Sequence, residues 1–172
     1  MAKSFEEILN QVKSCSKKKV SVAVAQDENV LEAVKEAKER GIADSVLVGD
    51  ADQIKVIADS IGMNLADYEV IDVKDVTEAA LTAVKLVHDG KADMYMKGLI
   101  DTKGFLKSVL NKEVGLRTGK PLSHVCVFDV KGIDHLLFLT EVAFIPYPTP
   151  KDTDNIINNT VRICEACGVH NP

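Results

Sequence analysis

At 172 residues, with 46% hydrophobic and 27% charged side chains, the chain is long enough to bury a two-sided sheet core and too apolar to stay disordered. A formal net charge of −5 argues against a general affinity for nucleic acid or anionic membrane, and 5% aromatic residues without Trp leave no stacking platform for single-stranded nucleic acid. No apolar run approaches the roughly 20 residues that span a bilayer, and no signal-peptide pattern opens the chain, so a cytoplasmic location is expected.

Helical and strand patterns alternate along the sequence. Ser4 caps a first predicted helix running to Val12, with Phe5, Ile8, Leu9 and Val12 on one face. The cluster Lys17-Lys18-Lys19 leads into a β-rich run, Val20-Ser21-Val22-Ala23-Val24-Ala25. Asp27 caps a second helix with Val30, Leu31, Val34 and Ala37 inward, and Gly41 stops it. Ser45-Val46-Leu47-Val48 reads as a strand, followed by a helix from Asp50 that carries Ile54, Ile57, Ala58 and Ile61. Glu69-Val70-Ile71-Asp72-Val73 is the next strand, and a helix over 76–87 turns Ala80, Leu81, Val84 and Val87 inward. Strand Asp93-Met94-Tyr95-Met96 precedes a loop and a helix over 103–110. Strands over 124–129 and 136–140 flank a turn at Gly132, as in a hairpin. The stretch Ile145-Pro146-Tyr147-Pro148-Thr149-Pro150 is read as neither helix nor central strand, and a last helix spans 152–167. This order of βαβ crossovers predicts a mostly parallel sheet covered on both faces and made mixed by the hairpin.

Ligands of open parallel sheets gather at the carboxyl ends of the strands. Four segments qualify. Gln26-Asp27-Glu28 reads first as a helix cap. In Met96-Lys97-Gly98-Leu99-Ile100-Asp101-Thr102 a strand-end Lys can meet an anion, Gly98 permits close backbone approach, and Asp101 or Thr102 can cap the next helix. Chemistry alone leaves an anion site and a capped turn equally open there, because neither a phosphate-loop nor a dinucleotide fingerprint occurs in the sequence. The polar stretch from Asn111 to Ser123 offers Arg117 for bidentate phosphate contact and Ser123 as a donor, or serves as a solvated connection. Glu141, at a strand end before the prolines, is either a cleft or an edge carboxylate. Cys164-Glu165-Ala166-Cys167 has no further ligands to complete a zinc shell, so two reduced cysteines are expected, one of them packed, and no metal site.

Several of these stretches, in this order, resemble the phosphate acetyl/butyryltransferase family, and within it the amino-terminal portion of the butyryl-type members. They are Val22-Ala23-Val24-Ala25-Gln26-Asp27, Leu47-Val48-Gly49-Asp50, Met96-Lys97-Gly98-Leu99, Asn111-Lys112-Glu113-Val114-Gly115-Leu116-Arg117-Thr118-Gly119, Ser123-His124-Val125 and Leu136-Leu137-Phe138-Leu139-Thr140. The resemblance implies a three-layer α/β/α sandwich with a mostly parallel, mixed sheet, of the isocitrate/isopropylmalate dehydrogenase-like kind. It implies residues 1–150 as a first domain and 151–172 as a helix leading toward a second. It further implies reversible transfer of a short acyl group between CoA and inorganic phosphate, with CoA as substrate and no cofactor. Lys97, Gly98, Thr102, Lys107, Arg117 and Ser123 are the positions expected to face the substrates; Lys107 stands where the family is expected to carry Arg. The catalytic base is expected beyond Pro172, which leads to the expectation that this chain alone is inactive or incomplete and forms a homo-oligomer or pairs with a complementing chain. A non-catalytic phosphate- or CoA-binding module, or a subunit completed by a separate chain, stay open as alternatives.

Overall fold

The structure is a computed structural model that describes residues 4–142, 144–169 and 171–172. In chain order its elements are α1 (Phe5–Val12), β1 (Lys18–Ala23), α2 (Glu28–Glu39), β2 (Ala43–Gly49), α3 (Ala51–Ser60), β3 (Glu69–Asp72), α4 (Val76–His88), β4 (Met94–Lys97), α5 (Thr102–Val109), β5 (Val125–Phe128), β6 (Leu137–Thr140) and α6 (Pro150–Ala166). The chain divides into two compact units, Ser16–Arg117 and the flanking stretches 4–15 and 118–172.

The Ser16–Arg117 unit is a four-stranded parallel sheet in the order β3-β2-β1-β4. Successive side chains of a strand point to opposite faces, and the two faces are covered by different helices. Val22 and Leu47 pack under α2 and α3 with Leu31, Val34, Ile54 and Ala58. Ala23, Val46 and Val48 pack under α4 with Ala79, Ala80 and Ala83, joined by Tyr95 and Phe105. The result is three layers, and the strands shared by both faces read as near-continuous apolar runs because neither face meets water.

The stripe on α4 is rotated from the sequence expectation. Ala79, Ala80, Ala83 and Val84 are buried, whereas Leu81 and Val87 are only half-buried. The small alanines let the helix come close enough to the sheet for the fully buried Ser21 hydroxyl to donate to the Ala83 carbonyl at 2.8 Å. A Leu facing the strands would hold the two layers apart.

In the other unit, β5 and β6 pair antiparallel from Val125↔Thr140 to Phe128↔Leu137. The predicted hairpin therefore exists, but it forms its own two-stranded sheet instead of a mixed edge on the parallel one. Ser4 caps α1, and α6 begins two residues earlier than expected, with Pro150 as its first residue. Proline fits there because the first helical N–H has no intrahelical partner to lose. Thr149 and Asp152 complete a reciprocal cap before it.

Candidate functional site at the carboxyl ends of β1 and β4

From β1 the chain steps outward through β2 to β3, then returns to the far side of β1 for β4. The order reverses between β1 and β4, and the loops after them lead to helices on opposite faces, the place where open α/β sheets generally take their ligands. The segment that follows β4 there is Gly98-Leu99-Ile100-Asp101.

The expected strand over 20–25 ends early, because Val24 takes φ +56° and is buried. A β-branched residue in the left-handed region is a strained one, at a cost on the order of 1–3 kcal/mol. The turn it makes splits the hydrogen bonding of β1 between its neighbours: Ala25 N–H donates to Val48 O at 3.1 Å, while Leu99 N–H donates to Val24 O at 2.8 Å. Gly98 N–H donates to Ala23 O at 2.9 Å. A Cβ on Gly98 would lie 2.3 Å from Val24 O and 2.5 Å from Ala23 O. Gly98 is thus a glycine because β1 lies against it, a requirement of the fold itself.

Asp101 caps α5. Its Oδ1 accepts from Gly104 N–H at 2.6 Å, and Thr102 is the first helical residue. The Asp101 carboxylate therefore already occupies one of the N-terminal amides that an anion would use. Behind α5, Tyr95 stacks on Phe105 at 4.6 Å between centroids, and its hydroxyl lies 2.8 Å from Ser108 Oγ, which donates to Phe105 O. Burial pushes the Tyr95 phenol up, with the Ser108 contact opposing it. This buried polar chain fixes α5 against β4.

Between α4 and α5 lies a cavity of about 510 Å³, and Lys107 stands on its wall with Ile100, Gly104 and Ser108. Lys97 and Thr102 are exposed nearby in sequence but do not line it. The stretch after α5 is a built turn: Asn111 Oδ1 accepts from Glu113 and Val114 N–H, Leu116 N–H returns to Val109 O, and His88 Nδ1 lies 3.0 Å from Gly115 O. It delivers an exposed Arg117. Among the described residues no carboxylate pairs with Lys97, Lys103, Lys107, Lys112 or Arg117; Lys18, Lys38, Lys55, Lys74 and Lys85 are in ion pairs, while Lys17, Lys91, Lys151 and Arg162 elsewhere are not.

Ser123 belongs to the other unit, where its Oγ accepts from Asn159 Nδ2 at 2.8 Å beside Lys120 and Arg162. Glu141 accepts from the backbone N–H groups of His124, Phe144 and Ile145. Desolvation alone would raise its carboxyl, but these bonds and the His124 ring outweigh it and hold it below the ordinary range. Asp27 caps α2 as expected, while Gln26 beside it joins the loops after β1 and β2 through Oε1, which accepts from Asp50 N–H at 3.3 Å. Cys164 is buried and Cys167 half-buried; both are free thiols pushed up by burial, Cys164 also by Cys167. Among the described residues no cluster of three or more His, Cys, Asp or Glu could hold a metal, and no helix is long and apolar enough to cross a membrane.

These features define an open, doubly wound α/β protein with Lys97 at the end of β4 and Lys103 and Lys107 on the cavity between α4 and α5. Residues 4–80 and 73–172 match the family model described as phosphate acetyl/butaryl transferase, and the chain belongs to that family. Over all 172 residues it is 59% identical to the phosphate butyryltransferases of Clostridium beijerinckii and Clostridium acetobutylicum, and it spans 57% of the length of each. It is 35% identical over 168 residues to a probable phosphate butyryltransferase of Bacillus subtilis, covering 98% of this chain and 56% of that one. Among solved structures, a phosphotransacetylase from Streptococcus pyogenes matches with TM-score 0.79 at 15% identity, over 96% of this chain and 60% of that chain. A branched-chain phosphotransacylase from Enterococcus faecalis matches with TM-score 0.65 at 22% identity, over 90% and 53%. These two likenesses bear on the fold alone.

Proposed function

We propose that the protein acts in phosphate acyl transfer of the butyryl type, exchanging a short acyl group between CoA and inorganic phosphate. The observation that carries this reading is the 59% identity to two phosphate butyryltransferases across the whole chain, against 32% to the phosphate acetyltransferase of Rhizobium meliloti. The unpaired cations after β4 support it, since they leave positive charge for a phosphate.

In this reading Lys97 and Lys107 offer point charges, Arg117 offers the planar fork that matches two phosphate oxygens, and Thr102 offers a hydroxyl. Gly98 holds the end of β4 against β1 so that Lys97 keeps its place. A phosphate oxygen attacks the thioester carbonyl, the new C–O bond forms as the C–S bond breaks, and the sulfur leaves with the electron pair to become the CoA thiol after taking a proton. The cations lower the barrier by gathering the reactants and by stabilising negative charge as it moves. The atoms balance among the substrates themselves, so no cofactor enters, and a soluble cytoplasmic setting and self-association accord with the reading.

The test is phosphate-dependent release of thiol from butyryl-CoA by the protein as its own gene encodes it. Release is expected, and Lys107→Gln is expected to raise the phosphate KM about tenfold, the loss of one charge-assisted hydrogen bond. Absence of release from any short acyl-CoA, together with absence of the reverse reaction from butyryl phosphate, would sink the proposal.

A further inference from the structure

The α4–α5 cavity has two chemically distinct parts. One wall is apolar: Val76, Ala80, Leu81, Leu99 and Ile100. Of these, Val76 is 44% and Leu99 56% exposed, so large hydrophobic groups are left to solvent around a concave space. Leu81 reaches this wall because the alanines, not the leucine, face the sheet. The other part carries Lys103 and Lys107. They stand one turn apart on α5, an exposed like-charge pair that repels weakly. The carboxylate on the lining, Asp101, is engaged by Gly104 N–H and pairs with neither.

We infer that this cavity is the acyl-chain site, taking a phosphate ester or anhydride with a short apolar tail: the tail lies on the Leu81 wall and the phosphate at Lys103 and Lys107. Lys103 is then a substrate-binding residue and Leu81 the residue that sets tail length. The volume of about 510 Å³ falls within the usual range of small-ligand sites and accommodates a four-carbon tail with its phosphate. The assignment rests on the acyltransferase reading for the identity of the ligand, while the site itself rests on the cavity and its two surfaces.

Alkyl phosphates are the probe, because they carry the tail and the phosphate and do not react. Titrated by calorimetry from methyl to butyl phosphate, they should bind about fourfold tighter with each methylene buried. Leu81→Trp should flatten the series while methyl phosphate still binds, and Lys103→Gln should weaken every member about tenfold. Should Leu81→Trp fail to fold by circular dichroism, Leu99→Ala at its exposed position replaces it and should reduce the gain per methylene. Equal affinity along the series, or a series unchanged by these wall variants, overturns the site. Thiol release from butyryl-CoA without a chain-length series leaves the acyltransferase reading standing and removes this one; a series without thiol release does the reverse.

Discussion

Replacing Gly98 by Ala tests how the ends of β1 and β4 are held together. The added Cβ would sit 2.3 Å from Val24 O and 2.5 Å from Ala23 O, both backbone atoms that cannot swing aside. Relief requires the ends of β1 and β4 to part by roughly an ångström, which stretches the Gly98–Ala23 and Leu99–Val24 bonds past hydrogen-bond range. Overpacking of this kind costs about 1–3 kcal/mol, and two weakened bonds add about 1 kcal/mol each. Gly98→Ala should therefore lower the unfolding free energy by about 3–5 kcal/mol in urea titrations at 25 °C. Gly90→Ala is the control: its Cβ meets nothing within 4 Å, and only its φ of +71° penalises a side chain, at about 1–2 kcal/mol. If Gly98→Ala costs no more than Gly90→Ala, the contact with β1 is not what demands a glycine, and this account of the strand ends fails.

Two further outcomes are expected. Asp101→Ala removes the cap of α5 and should cost about 1 kcal/mol by the same titration; it should also strengthen binding of inorganic phosphate, since it removes the carboxylate that shares the cavity lining with Lys103 and frees a helix N-terminal amide. Acid should destabilise the parallel unit through Asp93, whose carboxyl is held below its ordinary 3.8 first by the Lys18 ammonium and then by Lys19 N–H. Because the folded state holds this proton more weakly than the unfolded chain, its contribution is complete above the unfolded value and is lost as pH falls through the folded one. Unfolding curves at pH 7, 5 and 3 should show the drop only between the last two, and Asp93→Asn should shrink it.

Much of this was legible in the amino-acid order. The caps at Ser4, Asp27, Asp50 and Asp101 mark helix starts by their own side-chain chemistry, and the apolar runs at 20–24 and 45–48 mark buried parallel strands because both faces of such a strand are dry. Lys97 and Arg117 stood out as cations in glycine-bearing loops. Other features were invisible at that level. Lys103 was not singled out in the sequence: the predicted helix over 103–110 sets it one turn from Lys107, but only the packing of α5 against α4 puts the pair beside an apolar wall. The alanine face of α4 was misassigned because hydrophobicity ranks Leu above Ala, whereas the distance between helix and sheet favours the smaller residue.

Local patterning thus determined the elements, their caps and the parallel class of the fold, since each depends on interactions a few residues apart. The tertiary structure alone decided that Val24 bends out of β1, that Gly98 must have no side chain, that the hairpin forms a sheet of its own and that Leu81 faces a cavity. Each of those depends on a neighbour brought up by the strand order β3-β2-β1-β4 or by the pairing of β5 with β6, and such contacts between distant residues leave no period in the sequence.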